Sequence, residues 1–194
     1  MLTHKGTEKI QSERLILRKF EIEDTPEVYQ NLSSKDEVFR FLQHSPNKDI
    51  SQTRKYVECI ISRYKQLDYY KWVIIDKEKN VVVGEISVCQ IDPKNQFTCE
   101  VGYNISPDFW GFGYATEALG MVVDFLFKDV GFNRIEALHD LENLASEKVI
   151  IKNSFTCEGI LKESDYRQGK FYDLKVYSIT KSQFLNTKSE TQHL

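Results

Sequence analysis

Glu100-Val-Gly-Tyr-Asn-Ile-Ser-Pro-Asp-Phe-Trp-Gly-Phe-Gly-Tyr-Ala-Thr-Glu-Ala-Leu119 reads as a strand, a tight turn around Pro107, and two glycines that open directly into an amphipathic helix. A helix start free of bulky side chains leaves its first backbone N–H groups unpaired and open. Together with the positive end of the helix dipole, those donors form a site for phosphate. The turn holds no lysine and no metal-ligand cluster. The P-loop reading is weak because its lysine is missing. The dinucleotide fingerprint fits poorly: Gly111-Phe112-Gly113-Tyr114-Ala115-Thr116 ends in threonine and lies past the middle of the chain.

A third pattern fits better. Trp110-Gly111-Phe112-Gly113-Tyr114-Ala115 resembles the acetyl-CoA motif of the GNAT superfamily of N-acetyltransferases, Gln/Arg-x-x-Gly-x-Gly/Ala. Trp110 departs from the polar first residue. The run Trp-Gly-x-Gly-Tyr-Ala-Thr-Glu-Ala is nevertheless the usual form in the RimJ/RimL-type branch, which acetylates the N-termini of ribosomal proteins. The resemblance spans about residues 12–182. It implies a mixed α/β (α+β) GNAT fold: a twisted, mostly antiparallel sheet of about seven strands, flanked by helices and splayed into a central crevice for acetyl-CoA. The pyrophosphate would sit on Trp110, Gly111, Phe112, Gly113, Tyr114, Ala115 and Thr116. The pantetheine arm would extend the strand at Tyr103, Asn104 and Ile105, where a backbone N–H could also hold the thioester oxygen.

The rest of the chain is compatible with one domain over residues 1–194, with polar tails at 1–12 and 185–194 expected to be loosely held. A net charge of −3 supplies no electrostatic reason for binding nucleic acid or membrane. Cys59, Cys89, Cys99 and Cys157 show no paired spacing and read as reduced, mostly packed thiols. His4, His44, His139 and His193 are scattered, so no metal is expected. Without a signal-like start or a long apolar run, the expected location is cytoplasmic.

Apolar spacing and turn residues order the elements. Arg14–Arg18 reads as a strand, followed by a helix start at Asp24-Thr-Pro-Glu27, a short helix near Val38–Leu42 and a longer one from Asp49 or Ser51 to about Leu67. Strands follow over Lys71–Asp76, Val81–Ile91 and Phe97–Ile105. The helix after Gly113 buries Ala115, Leu119, Val122, Val123, Leu126 and Phe127, and Gly131 stops it. A strand over Arg134–His139 leads to a helix from Leu141 to about Asn153, and two strands flank the Gln168-Gly169 turn.

Asn143-Leu-Ala-Ser-Glu-Lys-Val149 resembles the family's Asn-x-Ala-Ser-x-Arg/Lys-Val segment. By that resemblance Asn143 offers its amide to pantetheine and Ser146 points its hydroxyl at the sulfur; the competing reading of Asn143 is a plain helix cap. Downstream, Ser154 stands where the family has glycine, which would shift the left-handed helix end onto Asn153. Ile151 replaces a common glutamate and reads as packing. The acid tyrosine of other branches would fall at Ile150 and is absent.

By resemblance to RimL-type enzymes, Glu158 is the candidate general base and Ser146 the general acid; Glu100 is a rival base, and both glutamates also read as solvated carboxylates. His139 reads as a structural histidine or a proton relay. Glu21, Glu23, Asp24, Glu27, Asp36 and Glu37 form an acidic early region, while Phe39, Tyr69, Tyr70, Tyr166 and Tyr172 are candidate linings of the acceptor pocket. A protein α-amine, with a pKa near 8, is about one-tenth neutral at pH 7; a lysine near 10.4 costs about 4 to 5 kcal/mol to deprotonate. The expected activity is direct acetyl transfer from acetyl-CoA to a primary amine, foremost a protein N-terminus, with a homodimer as one possible assembly. The alternatives are a small-molecule amine acetyltransferase and a non-catalytic acyl-CoA-binding module.

Overall fold

The computed structural model describes residues 1–191, with side chains described through Asn186. In chain order the strands are β1 (Ile10–Gln11), β2 (Leu15–Arg18), β3 (Lys71–Asp76), β4 (Val81–Ile91), β5 (Thr98–Ile105), β6 (Arg134–Asp140), β7 (Thr156–Arg167) and β8 (Lys170–Thr180). The helices are α1 (Thr25–Val28), α2 (Asp36–Phe39), α3 (Ile50–Arg63), α4 (Tyr114–Phe125), α5 (Leu144–Lys152) and α6 (Lys181–Thr191). The strands form one open, mostly antiparallel sheet in the order β1-β2-β3-β4-β5-β6-β8-β7, with β5 parallel to β6. The expected mixed α/β fold is present, with eight strands rather than seven.

The eighth strand is β1, inside the segment expected to be a loose tail. It pairs with β2 at Ile10↔Leu17, Thr7 is buried, and the Trp72 indole donates to the Glu8 carbonyl at 2.7 Å. Its backbone groups therefore have partners, which ordinary tail residues lack. The other expected tail is helical through Thr191; residues 192–194 lie outside those described.

The chain's contacts separate two compact units. One comprises His4–Val88 and Tyr103–Met121. Its helical side is built on Phe20, Val28, Leu32, Val57 and Ile60 packed with Val73, Ile75 and Val82 of the sheet. Helix α3 starts where Asp49 accepts from the N–H groups of Ser51 and Gln52, an N-cap placed just ahead of the apolar periodicity. Two of the early acidic residues are structural: Asp24 pairs with Arg18 at 2.7 Å, and Glu27 accepts from Val82 N at 2.6 Å.

Glu27 reaches Val82 because β4 bulges. The register steps from Ile74↔Gly84 to Ile75↔Val82, so Val83 has no ladder partner on β3. Glu27 and Asn31 serve the freed N–H and C=O of Val82, and the Val83 carbonyl accepts from Ser106 N at 2.9 Å. The end of β5 is thereby tied down where the Pro107 turn begins. Gly84 allows that approach, since a Cβ there would lie 2.5 Å from the Asn104 carbonyl oxygen.

The second unit comprises Met1–Thr3, Cys89–Gly102 and Val122–Leu194. Its β5–β6 ladder registers Thr98↔Arg134 through Glu100↔Glu136, and β6 continues as the antiparallel partner of β8. The α4 helix leaves its regular geometry in a wide π-type turn over Leu126–Val130, and Gly131 follows at φ 95°. Ser154, rather than Asn153, takes the left-handed position after α5, at φ 64°. Asn153 stays at φ −94° because it caps the helix, its N–H donating to Ile150 and its side chain to the Val149 carbonyl. Ile151 is exposed rather than packed, and Ile150 takes the inward place. Of the four cysteines only Cys99 is buried; all four are free thiols.

Replacing Gly84 by alanine is expected to lower the unfolding free energy by about 1–3 kcal/mol, because the backbone of β5 must yield to the added methyl group. Urea denaturation of the variant checks this. Unchanged stability would mean that β5 yields freely at Asn104.

Candidate active site

The β5–α4 turn lies wholly in the first unit. Gly111 and Gly113 adopt φ of 84° and 80°, left-handed values that side-chain-bearing residues avoid. A Cβ at Gly111 would meet nothing within 4 Å, and one at Gly113 only an Arg14 nitrogen at 3.8 Å. The glycines are thus needed for backbone direction, and the face they present is open. Past them, the first backbone N–H groups of α4 have no intrahelical acceptor, and the twelve-residue helix contributes its positive end. This arrangement suits an anion.

Two braces hold the turn. The Tyr114 side chain points inward and its hydroxyl donates to Asp76, so Tyr114 offers only its backbone to a ligand. Burial disfavours the Asp76 charge, yet the Tyr114 hydroxyl and the N–H groups of Lys79 and Glu78 hold its pKa below the usual value. The Arg14 guanidinium grips Glu117 through Nε at 2.8 Å and through Nη2, while Nη1 donates to the Phe112 carbonyl at 3.1 Å. Ser12 adds a hydroxyl bond to the same glutamate. With its carbonyl bonded to Arg14, Phe112 is fixed while its ring stays 55% exposed. Neither brace has a local motif, because the partners lie 38 and 103 residues apart. The only signal was the presence of charged residues at the ends of the strands preceding the turn.

The strand before the turn is equally engaged. Trp110 donates its indole N–H to the Ile105 carbonyl at 2.8 Å. The Asn104 amide donates to Glu85 at 3.2 Å, and Glu85 also accepts from the Tyr56 hydroxyl at 2.7 Å and pairs with Lys71 at 3.1 Å. The Asn104 side chain and the Ile105 carbonyl are thus both engaged within the protein.

The second unit holds the other candidate residues. Glu158 sits on a bulge of β7, between Cys157↔Tyr177 and Gly159↔Val176. Its carboxylate is held by Arg134 from β6 and by the Ser178 hydroxyl at 2.6 Å. The bonds from Arg134, then that from Ser178, lower its pKa to about 2. Glu100 differs: burial, and then the neighbouring Glu136 charge, raise its pKa above the usual value. It lines a cavity of about 380 Å³ together with Gln90, Asp92, Lys94 and Glu136.

Asn143 caps α5, its side-chain oxygen accepting from Ser146 N at 3.1 Å, which leaves its NH₂ group as the donor it could offer. Ser146 is half-buried in the first turn of α5. Next to it, Glu147 accepts from Lys175 and Tyr177, both at 2.6 Å. His139 is buried, with Nδ1 on the Asp140 carbonyl and its ring 5.4 Å from Tyr177.

The aromatic acceptor-lining candidates scatter. Tyr70 is fully buried against His4. Arg63 covers Tyr69, Arg167 covers Tyr172, and Tyr166 pairs with Phe171 on the hairpin surface. Among the described residues no group of three or more His, Cys, Asp and Glu is arranged to hold a metal ion. No described helix is long and apolar enough to cross a membrane.

Comparison with known proteins identifies the family. The chain is 33% identical over 177 residues to the N-acetyltransferase p20 of Bacillus licheniformis, covering 91% of this chain and 98% of that protein. It is 29% identical over 126 residues to the ribosomal-protein-serine acetyltransferase of Escherichia coli K12, covering 65% and 69% of the two chains. The crystal structure of a GNAT-family acetyltransferase from Bacillus anthracis superimposes with a TM-score of 0.79 at 26% identity, over 90% of this chain and 99% of that one. The acetyltransferase (GNAT) domain profile matches residues 14–156, and it is to this family of N-acetyltransferases that the chain belongs.

Proposed function

We propose that the enzyme binds acetyl-CoA with its diphosphate on the Trp110–Thr116 turn and transfers the acetyl group directly to a protein N-terminal α-amine. The observation that carries the cosubstrate assignment is the braced turn itself, with left-handed Gly111 and Gly113 opening into the N-terminal end of α4. The family uses acetyl-CoA, and an anion site of this build needs no metal and no lysine within the turn. Pantetheine amides would pair with the backbone of Tyr103, Asn104 and Ile105. The acceptor assignment is supported by the similarity to a ribosomal-protein-serine acetyltransferase and by the chemistry of the carboxylates.

In this reading the amine nitrogen attacks the thioester carbonyl carbon, the C–S bond breaks, and the amine proton passes to a base. The CoA thiolate leaves with a proton from Ser146 or solvent. Of the two glutamates, Glu100 is better matched to the base, because its raised pKa lets it hold a proton nearer neutrality. Glu158, with a pKa of about 2, holds a proton poorly and serves as the fixed partner of Arg134. An α-amine, already partly neutral at pH 7, asks little of either group.

Gly113→Glu is expected to abolish acetyl-CoA binding in calorimetric titration while the chain stays folded by circular dichroism, and Ser146→Ala to bind normally and turn over slowly. Unchanged affinity in the first variant would move the cosubstrate away from the turn. A free-thiol assay over N-terminal peptides, polyamines and lysine peptides tests the acceptor; saturable turnover of a polyamine alone would refute the α-amine assignment.

The two glutamates separate by pH. A base works only when ionised, so the acid limb of kcat/KM should lie above the ordinary glutamate range and vanish in Glu100→Gln, with a loss of about tenfold or more. In Glu158→Gln that limb should stay in place. The lowered Glu158 pKa contributes stability that is fully present above its unfolded value of about 4.3 and is lost as pH falls toward 2. Melting curves of Glu158→Gln should therefore show lower stability at pH 7 and a smaller loss on going to pH 3.

A further inference from the structure

The turn that receives the diphosphate carries no cation of its own between Trp110 and Thr116. Of the cations beside it, Arg14 is held by Glu117 and the Phe112 carbonyl, and Lys35 pairs with Asp108 at 3.4 Å. Lys79 is placed differently. It stands in the β3–β4 turn with its ammonium 5.1 Å from the centre of the Phe109 ring and 5.4 Å from that of Phe112, the residue between the two left-handed glycines. Its ammonium rests on these aromatic faces and also acts electrostatically on the Asp76 carboxylate, without an ion-pair contact. Its backbone is fixed by the carboxylate that braces the turn: Lys79 N donates to Asp76 Oδ1 at 2.9 Å, and the Tyr114 hydroxyl donates to Asp76 Oδ2. One buried aspartate thus sets both the phosphate turn and the backbone that carries the lysine.

CoA presents a diphosphate bridge and, separately, a phosphate on the ribose 3′-oxygen. The helix end is worth roughly half a positive charge and is taken up by the diphosphate. A second phosphate beside it calls for a full positive charge outside the turn, and an ammonium resting on the half-buried Phe109 and exposed Phe112 rings can pivot to a phosphate oxygen. We propose that Lys79 binds the ribose 3′-phosphate of CoA, making the enzyme select CoA over its 3′-dephospho form. This rests on the reading of the turn as the CoA site and adds a specificity-determining residue that the turn motif does not contain.

The test is calorimetric titration of the full chain with CoA and with 3′-dephospho-CoA, for the wild type, Lys79→Met and Lys79→Arg. Lys79→Met keeps an unbranched apolar stem against Phe109 and Phe112 while removing the charge. The expected result is that the wild type binds CoA about fivefold or more tightly than dephospho-CoA, a difference typical of one exposed charge-assisted contact. Lys79→Met should lose that margin with CoA, bind dephospho-CoA as the wild type does, and melt at the same temperature; Lys79→Arg should keep the preference. An equal loss on both ligands would assign Lys79 to the diphosphate and overturn the proposal, as would no loss on either. A wild type that binds neither ligand would strike the reading of the turn itself.

Discussion

As the proposed acetyl-CoA site, the first turn of α4 has to meet two demands that oppose each other. Its backbone N–H groups must stay uncovered, yet the segment that carries them must be rigid, since a floppy turn would pay its ordering entropy on every binding event. Glycines at 111 and 113 meet the first demand and worsen the second. The solution is to take rigidity from outside: Tyr114 is pinned to Asp76, and Glu117 and the Phe112 carbonyl are pinned to Arg14. Much of the first unit can be read as the support those pins require. Asp76 closes β3, Arg14 leads into β2, and the bulge at Val83 brings Ser106 to the point where the turn departs.

The second unit shows how burial and pairing separate groups of one chemistry. Glu158 and Glu100 are both strand glutamates, and no rule of spacing distinguishes them. Glu158 lies on a bulge that turns it to Arg134 and Ser178, where its negative charge is strongly favoured. Glu100 is desolvated beside Glu136, where its negative charge is disfavoured. Environment pushes the two carboxyls in opposite directions, and that divergence is the usual basis for assigning acid, base and fixed charge.

The parts legible in the sequence were those written locally. The strand–turn–helix around Gly111, the start of α3 at Asp49 or Ser51 and the tight turn at Gln168-Gly169 each depend on a few adjacent residues, and each is present at its expected place. Boundaries drifted where side-chain capping decided them, as at Asn143, which starts α5 three residues after the apolar pattern suggests. What stayed hidden depended on distant partners. Nothing near Gly113 announces Arg14, nothing near Ile10 announces the Trp72 indole that helps hold the preceding residues, and nothing in the run to Glu158 announces Arg134. Ser154 shows the same limit on a smaller scale. The left-handed position was foreseen, but its occupant was decided by Asn153 being needed as a cap.

The shared carboxylate of Asp76 has a genetic consequence. Because one side chain sets the first residue of α4 and the hairpin tip that carries Lys79, substitutions at 76, 79 and 114 should not act independently of one another. A drifting lineage could exchange the Asp76–Tyr114 pair only by passing through an intermediate with an orphaned buried partner. That barrier ties the evolutionary fate of the proposed cosubstrate turn to a hairpin that the turn's own motif does not include.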